Sequence, residues 1–198
     1  VADICSRVSR TKEVKALVIT GAGDKAFAAG TDIAQFLDFE SGEDGIAYER
    51  KMDSTLDAIE RCAVPTVAAI AGFCTGGGAA IAAVCDFRIA TANAQFGFPI
   101  ARTLGNCLSL ANYARLANLI GPQRVKEMIL LARLFDAPTA LQVGLVSEVL
   151  ADVAALHARA DALAATLAGH APLTMQVTKE ALRRLQARMA EDNIDDLI

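Results

Sequence analysis

The chain has 198 residues, 54% of them hydrophobic and 21% charged, with a net charge of −4. That length and apolar content suit one folded domain with a sizeable core and exclude a disordered chain. The 19 Lys and Arg are scattered, so no basic surface for nucleic acid is expected, and Ala fills about one position in five, which suits closely packed helices.

The first predicted element is a continuously apolar strand, Ala16 to Thr20, closed by the glycine turn Gly21-Ala22-Gly23. Gly21 to Ala26 also fits a G-x-G-x-x-A dinucleotide pattern after a strand. That pattern needs a helix next and an acid on a following strand. Phe27-Ala28-Ala29-Gly30 follows instead, which argues against a nicotinamide-linked oxidoreductase.

A short helical pattern over Ile33 to Phe39 comes next. After a polar break at Ser41 to Gly45, a longer one carries Tyr48, Met52, Leu56 and Ile59 on its apolar side. Glu49, Asp53, Asp57 and Glu60 occupy the other side, which reads as a solvated face. Pro65 ends this unit. VPTVAAIAG is a second buried strand, and it runs into Thr75-Gly76-Gly77-Gly78 and a helix over Ala79 to Val84. Cys62 to Cys85 is uncharged and long enough to span a bilayer, but Pro65 and the glycine triplet interrupt it, so no transmembrane helix is expected.

DFRIA reads as a third strand and AQFGF as a short fourth. Beyond Arg102 helices dominate: Cys107 to Leu119, Gln123 to Leu134, a turn of helix from Pro138, and two long C-terminal helices. The five cysteines form no CxxC pair and read as buried, reduced thiols. With only two His, both near the C-terminus, no metal site is expected, and the setting is read as cytoplasmic.

FAAGTDIAQF, VAAIAGFCTGGGAAIAAVCDFRIATANAQFGFP and LFDAPTALQVGLVSEVL, in this order, resemble the crotonase (enoyl-CoA hydratase/isomerase) superfamily. The likeness runs from Ala16 to about Leu185. It implies an α/β fold: a crotonase-like stack of ββα units in one domain, 1–198. The core would span about 1–135 and a C-terminal helical trimerisation region about 136–198. The family's N-terminal strands and a CoA-contacting stretch would precede Val1.

The resemblance also implies an acyl-CoA thioester as substrate, with coenzyme A entering as part of it and no tightly bound cofactor. It implies self-association as a homotrimer, or a dimer of trimers, and no nucleic-acid or membrane partner. The backbone N–H groups of Thr31 and Gly77 would form an oxyanion hole. Ala29, Gly30, Asp32, Ile33, Gly76, Ala80, Ile100 and Asn106 would line the substrate site. Pre-aimed donors suit a thioester oxyanion, and a glycine admits the ligand without a Cβ in the way. Alone, the glycine triplet reads more often as close packing, and Asp32 as a helix cap.

The chain departs from the family pattern at two positions. Family hydratases hold a water between two glutamates, and here those places read Ala80 and Ile100, neither of which can carry a proton. Isomerase, decarboxylase or C–C lyase chemistry is therefore expected in place of standard hydration, with a non-catalytic acyl-CoA binder as the alternative. Asp53 is a candidate acid/base, set against its plainer place on a solvated helix face, and Glu49 is read the same way. Arg102 and Asn106 are candidate ligand contacts beside ordinary surface or loop roles. Cys107 is expected to be buried.

Overall fold

The computed structural model describes residues 1–30, 39–103 and 105–188. Eight strands among the described residues form two four-stranded sheets. The first orders β1 (Leu17–Thr20), β3 (Thr66–Ile70), β5 (Phe87–Thr91) and β8 (Glu148–Leu150), all parallel. The second orders β2 (Ala26–Ala28), β4 (Phe73–Thr75), β6 (Gln95–Gly97) and β7 (Phe135–Asp136), parallel except for the last pair. Each successive pair β1–β2, β3–β4 and β5–β6 adds one strand to each sheet. The helices α2 (Gly42–Glu60) and α3 (Gly77–Val84) follow the first two pairs. This is the expected stack of ββα units.

Burial explains the apolar runs. Every residue of β3 is buried, and its two faces serve different cores. Val67 and Ala69 pack with Ile89 against Leu156, Ala160 and Leu167 of α7 (Val153–Ala168). Ala68 and Ile70 point the other way, into the main core with Phe96, Phe98, Phe135, Leu56 and Ile59. A strand covered on both sides needs no polar face, so it does not alternate. The uncharged stretch Cys62 to Cys85 therefore folds as two strands and a helix. No helix of the described residues is long and apolar enough to cross a membrane.

Four of the helices begin where short polar side chains hold the first free N–H groups. The Asp44 carboxylate accepts the Ser41 N–H at 2.9 Å at the head of α2. Ser109 caps α4 (Leu110–Ile120) by accepting from the Asn112 N–H, so this helix starts three residues later than its apolar pattern suggests. Asp136 caps α6 (Ala137–Gln142) and Asp152 caps α7. α5 (Pro122–Leu130) stops before the predicted Leu134: Ala132 takes a positive φ of 47°, and Phe135 then joins β6 as β7. α1 (Ala2–Val8) precedes the first strand, and α8 (Pro172–Ala187) ends the described fold.

Two expectations about surfaces are corrected. Cys107 is exposed, whereas Cys5, Cys62, Cys74 and Cys85 are buried free thiols. The acidic side of α2 is not left to water, because it faces α4 and holds a buried Arg115. The region beyond residue 136 also contributes a strand, β8, to the first sheet, so it is not purely helical. The predicted helix over Ile33 to Phe39 lies almost wholly outside the described residues.

Candidate active site

The C-terminal ends of β2, β4 and β6 lie side by side, and the chain leaving each lines one cavity of about 280 Å³. Ala29 and Gly30 come from β2, and Thr75, Gly76 and Gly77 from β4 and the head of α3. Phe98, Pro99 and Ile100 follow β6, and Ala80 adds the next turn of α3. Tyr48, Glu49 and Met52 of α2 form a further wall, and Thr103, Asn106, Leu108 and Asn112 complete the lining. The ends of parallel strands are a usual place for a ligand crevice.

The glycines here are set by close approach of the two chains. Gly30 has a φ of +109° and Gly76 a φ of +54°, in the region that disfavours a side chain. A Cβ on Gly78 would lie 2.1 Å from the Ala28 carbonyl oxygen. β2 and α3 can therefore meet only if position 78 lacks a side chain. The Gly76 N–H is used, donating to Gly97 O at 2.9 Å. Gly77 opens α3, so its N–H has no acceptor within the helix, and the positive end of the helix dipole reinforces it.

Of the candidates named from sequence, Ala29, Gly30, Gly76, Gly77, Ala80, Ile100 and Asn106 come together around this cavity. Thr31, Asp32 and Ile33 lie outside the described residues. Arg102 is exposed and does not line the cavity. No helix follows Gly21 to Ala26; β2 begins there, so the dinucleotide geometry is not formed.

Asp53 is also outside the lining. Its Oδ1 accepts from Ser109 Oγ and from Asn112 Nδ2, both at 3.0 Å. Arg115 continues this network, donating to Asn112 Oδ1 at 3.1 Å, Asp57 at 2.6 Å and Glu60 at 3.0 Å. One helical turn earlier, Glu49 is the one carboxylate that lines the cavity among the described residues. Burial, helped by the Asp53 charge, pushes its pKa up to about 7. It has no ion-pair or hydrogen-bond partner among the described residues. In the same lining, Asn106 Oδ1 is buried without a hydrogen-bond partner among the described residues. Sequence reasoning preferred Asp53 to Glu49, since both lie on one polar side of α2. Only the packing of α2 on α4 separates them.

The family model for enoyl-CoA hydratase/isomerase matches residues 2–195. A short-chain-enoyl-CoA hydratase of Clostridium acetobutylicum is 33% identical over 91% of this chain and 68% of its own length. The mitochondrial Delta(3,5)-Delta(2,4)-dienoyl-CoA isomerase of Mus musculus is 34% identical over 96% of this chain and 61% of its own. A crotonyl-CoA hydratase of Syntrophomonas wolfei is 38% identical over 74% of this chain and 56% of its own, so the chain spans between about half and two thirds of these relatives. The crystal structure of an enoyl-CoA hydratase/carnithine racemase from Magnetospirillum magneticum superposes with a TM-score of 0.87. It is 32% identical, covering 93% of this chain and 68% of that one.

Proposed function

This chain belongs to the enoyl-CoA hydratase/isomerase family, and on that premise we propose that it binds an acyl-CoA thioester and stabilises its enolate without carrying out standard hydration. The observation that carries this reading is the composition of one cavity. It brings the glycine head of α3 and the Ala29-Gly30 turn together with Ala80 and Ile100, where hydratases of the family would keep carboxylates.

The backbone N–H of Gly77, and of Thr31 beyond the described residues, would receive the thioester oxygen as negative charge builds on it. Fixed donors of this kind supply a large share of the rate, and losing one typically costs about 10²–10³-fold. A cavity of about 280 Å³ suits the acyl end of the substrate, with the remainder of coenzyme A outside it. Ala80 and Ile100 leave no pair of carboxylates to activate water and return its proton, so isomerisation, decarboxylation or C–C cleavage fits the site better. Ala29, Gly30, Gly76 and Asn106 would border the ligand, and Asp32 and Ile33, beyond the described residues, join the site by the family resemblance alone. A homotrimer, through the C-terminal helices, is the assembly this reading carries.

Products formed from a panel of acyl-CoAs, followed by mass spectrometry, test it. Turnover without formation of 3-hydroxyacyl-CoA is expected, together with a loss of about 100-fold in Gly77→Pro, which removes the N–H at a helix position that tolerates proline. Tight binding with no turnover on any substrate would instead favour the non-catalytic binder, which Ala80 and Ile100 alone would also allow. Appearance of the 3-hydroxy product at rates similar to other conversions would overturn the reading.

A further inference from the structure

Ala80 and Ile100 remove the two usual carriers of a proton, yet the cavity they line is not without one. Glu49 enters it from α2, a different element from those that bear positions 80 and 100. We propose that Glu49 is the catalytic acid/base of this chain, taking a proton from the bound acyl group and returning it at another carbon. The proposal rests on the acyl-CoA reading above and deepens it.

Three observations converge on Glu49. It is the one carboxylate of the cavity lining among the described residues, and it shares that lining with Gly77, where the oxyanion would form. It is half-buried and carries no structural duty: no cation pairs with it and no cap or network uses it among the described residues. The neighbouring acids of the same helix face are all occupied. Asp53 holds Ser109 and Asn112, while Asp57 and Glu60 hold Arg115. A half-buried carboxylate left idle in a cavity costs stability, which a structural role would not explain. Asn106 Oδ1 in the same cavity is buried and has no donor among the described residues, so it is available to accept from a bound ligand.

One carboxylate limits the chemistry to steps that conserve the proton. On a 3-enoyl thioester, Glu49 takes a proton from C2, and the C–H electron pair passes into a dienolate whose oxygen is held by the Gly77 N–H. Protonated Glu49 then gives the same proton to C4. The C3=C4 double bond becomes C2=C3, the carboxylate is restored, and no water, oxidant or cofactor is consumed. Among the described residues, the titratable and charged groups near Glu49 are Tyr48 in the same lining, Asp53 on its own helix and Tyr113 on α4, while the Arg115 guanidinium is engaged by Asp57, Glu60 and Asn112.

The test is solvent exchange. Butyryl-CoA incubated in D₂O with the protein is followed for deuterium at C2 by mass spectrometry, and its affinity is measured by calorimetry. Exchange by the natural protein is expected to rise with pH through about 7 and level off above it, as the carboxylate ionises. Glu49→Gln is expected to lose at least about 100-fold in exchange, the usual scale for a missing acid/base, with its Kd for butyryl-CoA held within about threefold. Glu49→Asp is expected to recover part of the rate. Exchange at the natural rate in Glu49→Gln would overturn the proposal, as would binding by the natural protein with no exchange. A natural protein that neither binds nor exchanges sinks the acyl-CoA reading itself, and the two failures are thereby told apart.

Discussion

A carboxylate disfavoured by burial and by a neighbouring negative charge leaves its mark on stability as well as on rate. Glu49 ionises in water near 4.5, and in the fold it is raised to about 7. An acid raised in this way contributes stability that is fully present below pH 4.5 and lost as pH rises through about 7, because the folded state then holds a buried charge. Glu49→Gln should therefore stabilise the protein at pH 8, by on the order of 1–2 kcal/mol once solvent screening is allowed for. The gain should shrink towards zero as pH falls to 4.5, read from urea unfolding at a series of pH values. Asp53→Asn removes the second cause of the shift, so the pH midpoint for exchange should move down; a midpoint that stays put would show that Asp53 does not act on Glu49. At this scale the sequence singled out Gly30, Gly76, Gly77, Ala80 and Ile100, which line one cavity in the fold. It could not separate Glu49 from Asp53, four residues apart on one face, because rotation of α2 against α4 decides which of them meets the cavity and which meets Ser109 and Asn112.

Between elements, the contacts that hold the cavity open are polar on one side and tightly apolar on the other. Arg115 is only 7% exposed and ties α4 to Asp57 and Glu60 of α2. Its removal takes the cation from Glu60, 17% exposed, while the half-exposed Asp57 keeps Arg61 at 3.8 Å, so Arg115→Ala should cost about 1–3 kcal/mol by chemical denaturation. A loss below about 1 kcal/mol would mean the acids are solvated after all. On the apolar side, Gly78→Ala would drive a Cβ to within 2.1 Å of Ala28 O and 2.7 Å of Ala28 Cβ. Separation of β2 from α3 should destabilise the protein by about 1–3 kcal/mol and weaken butyryl-CoA binding, since Ala29 and Gly30 after β2 and Gly77 of α3 line the same cavity. Natural stability and affinity in this variant would argue that the two chains do not need to meet. The long strands and helices were legible because burial writes continuous apolar runs and caps mark helix starts. β2, β4, β7 and β8 span only two or three residues each, too short for any periodicity, and were visible only through their partners.

At the scale of the whole molecule, the last helix poses a question of solvation. α8 has no fully buried residue; Met175 packs partly on the core beside α7, and Lys179 anchors the helix by its ion pair with Asp86. Leu173 is 71% exposed, Val177 59%, Leu182 61% and Leu185 58%. Water-facing apolar side chains concentrated on one helix are unfavourable at about 25 cal/mol per Å², and soluble monomers rarely gather them into large patches. A second copy of the chain is the cover that the proposed trimer supplies, and the apolar area it removes from water would favour association. Leu173→Glu with Val177→Glu should then shift the protein to monomer in sedimentation velocity while leaving the monomer's own unfolding midpoint nearly unchanged, because neither side chain packs inward. A natural protein that sediments as a monomer at about 10 μM would remove the trimer from the proposal. It would leave the cavity intact as a site, since every residue used to argue for Glu49 belongs to one chain.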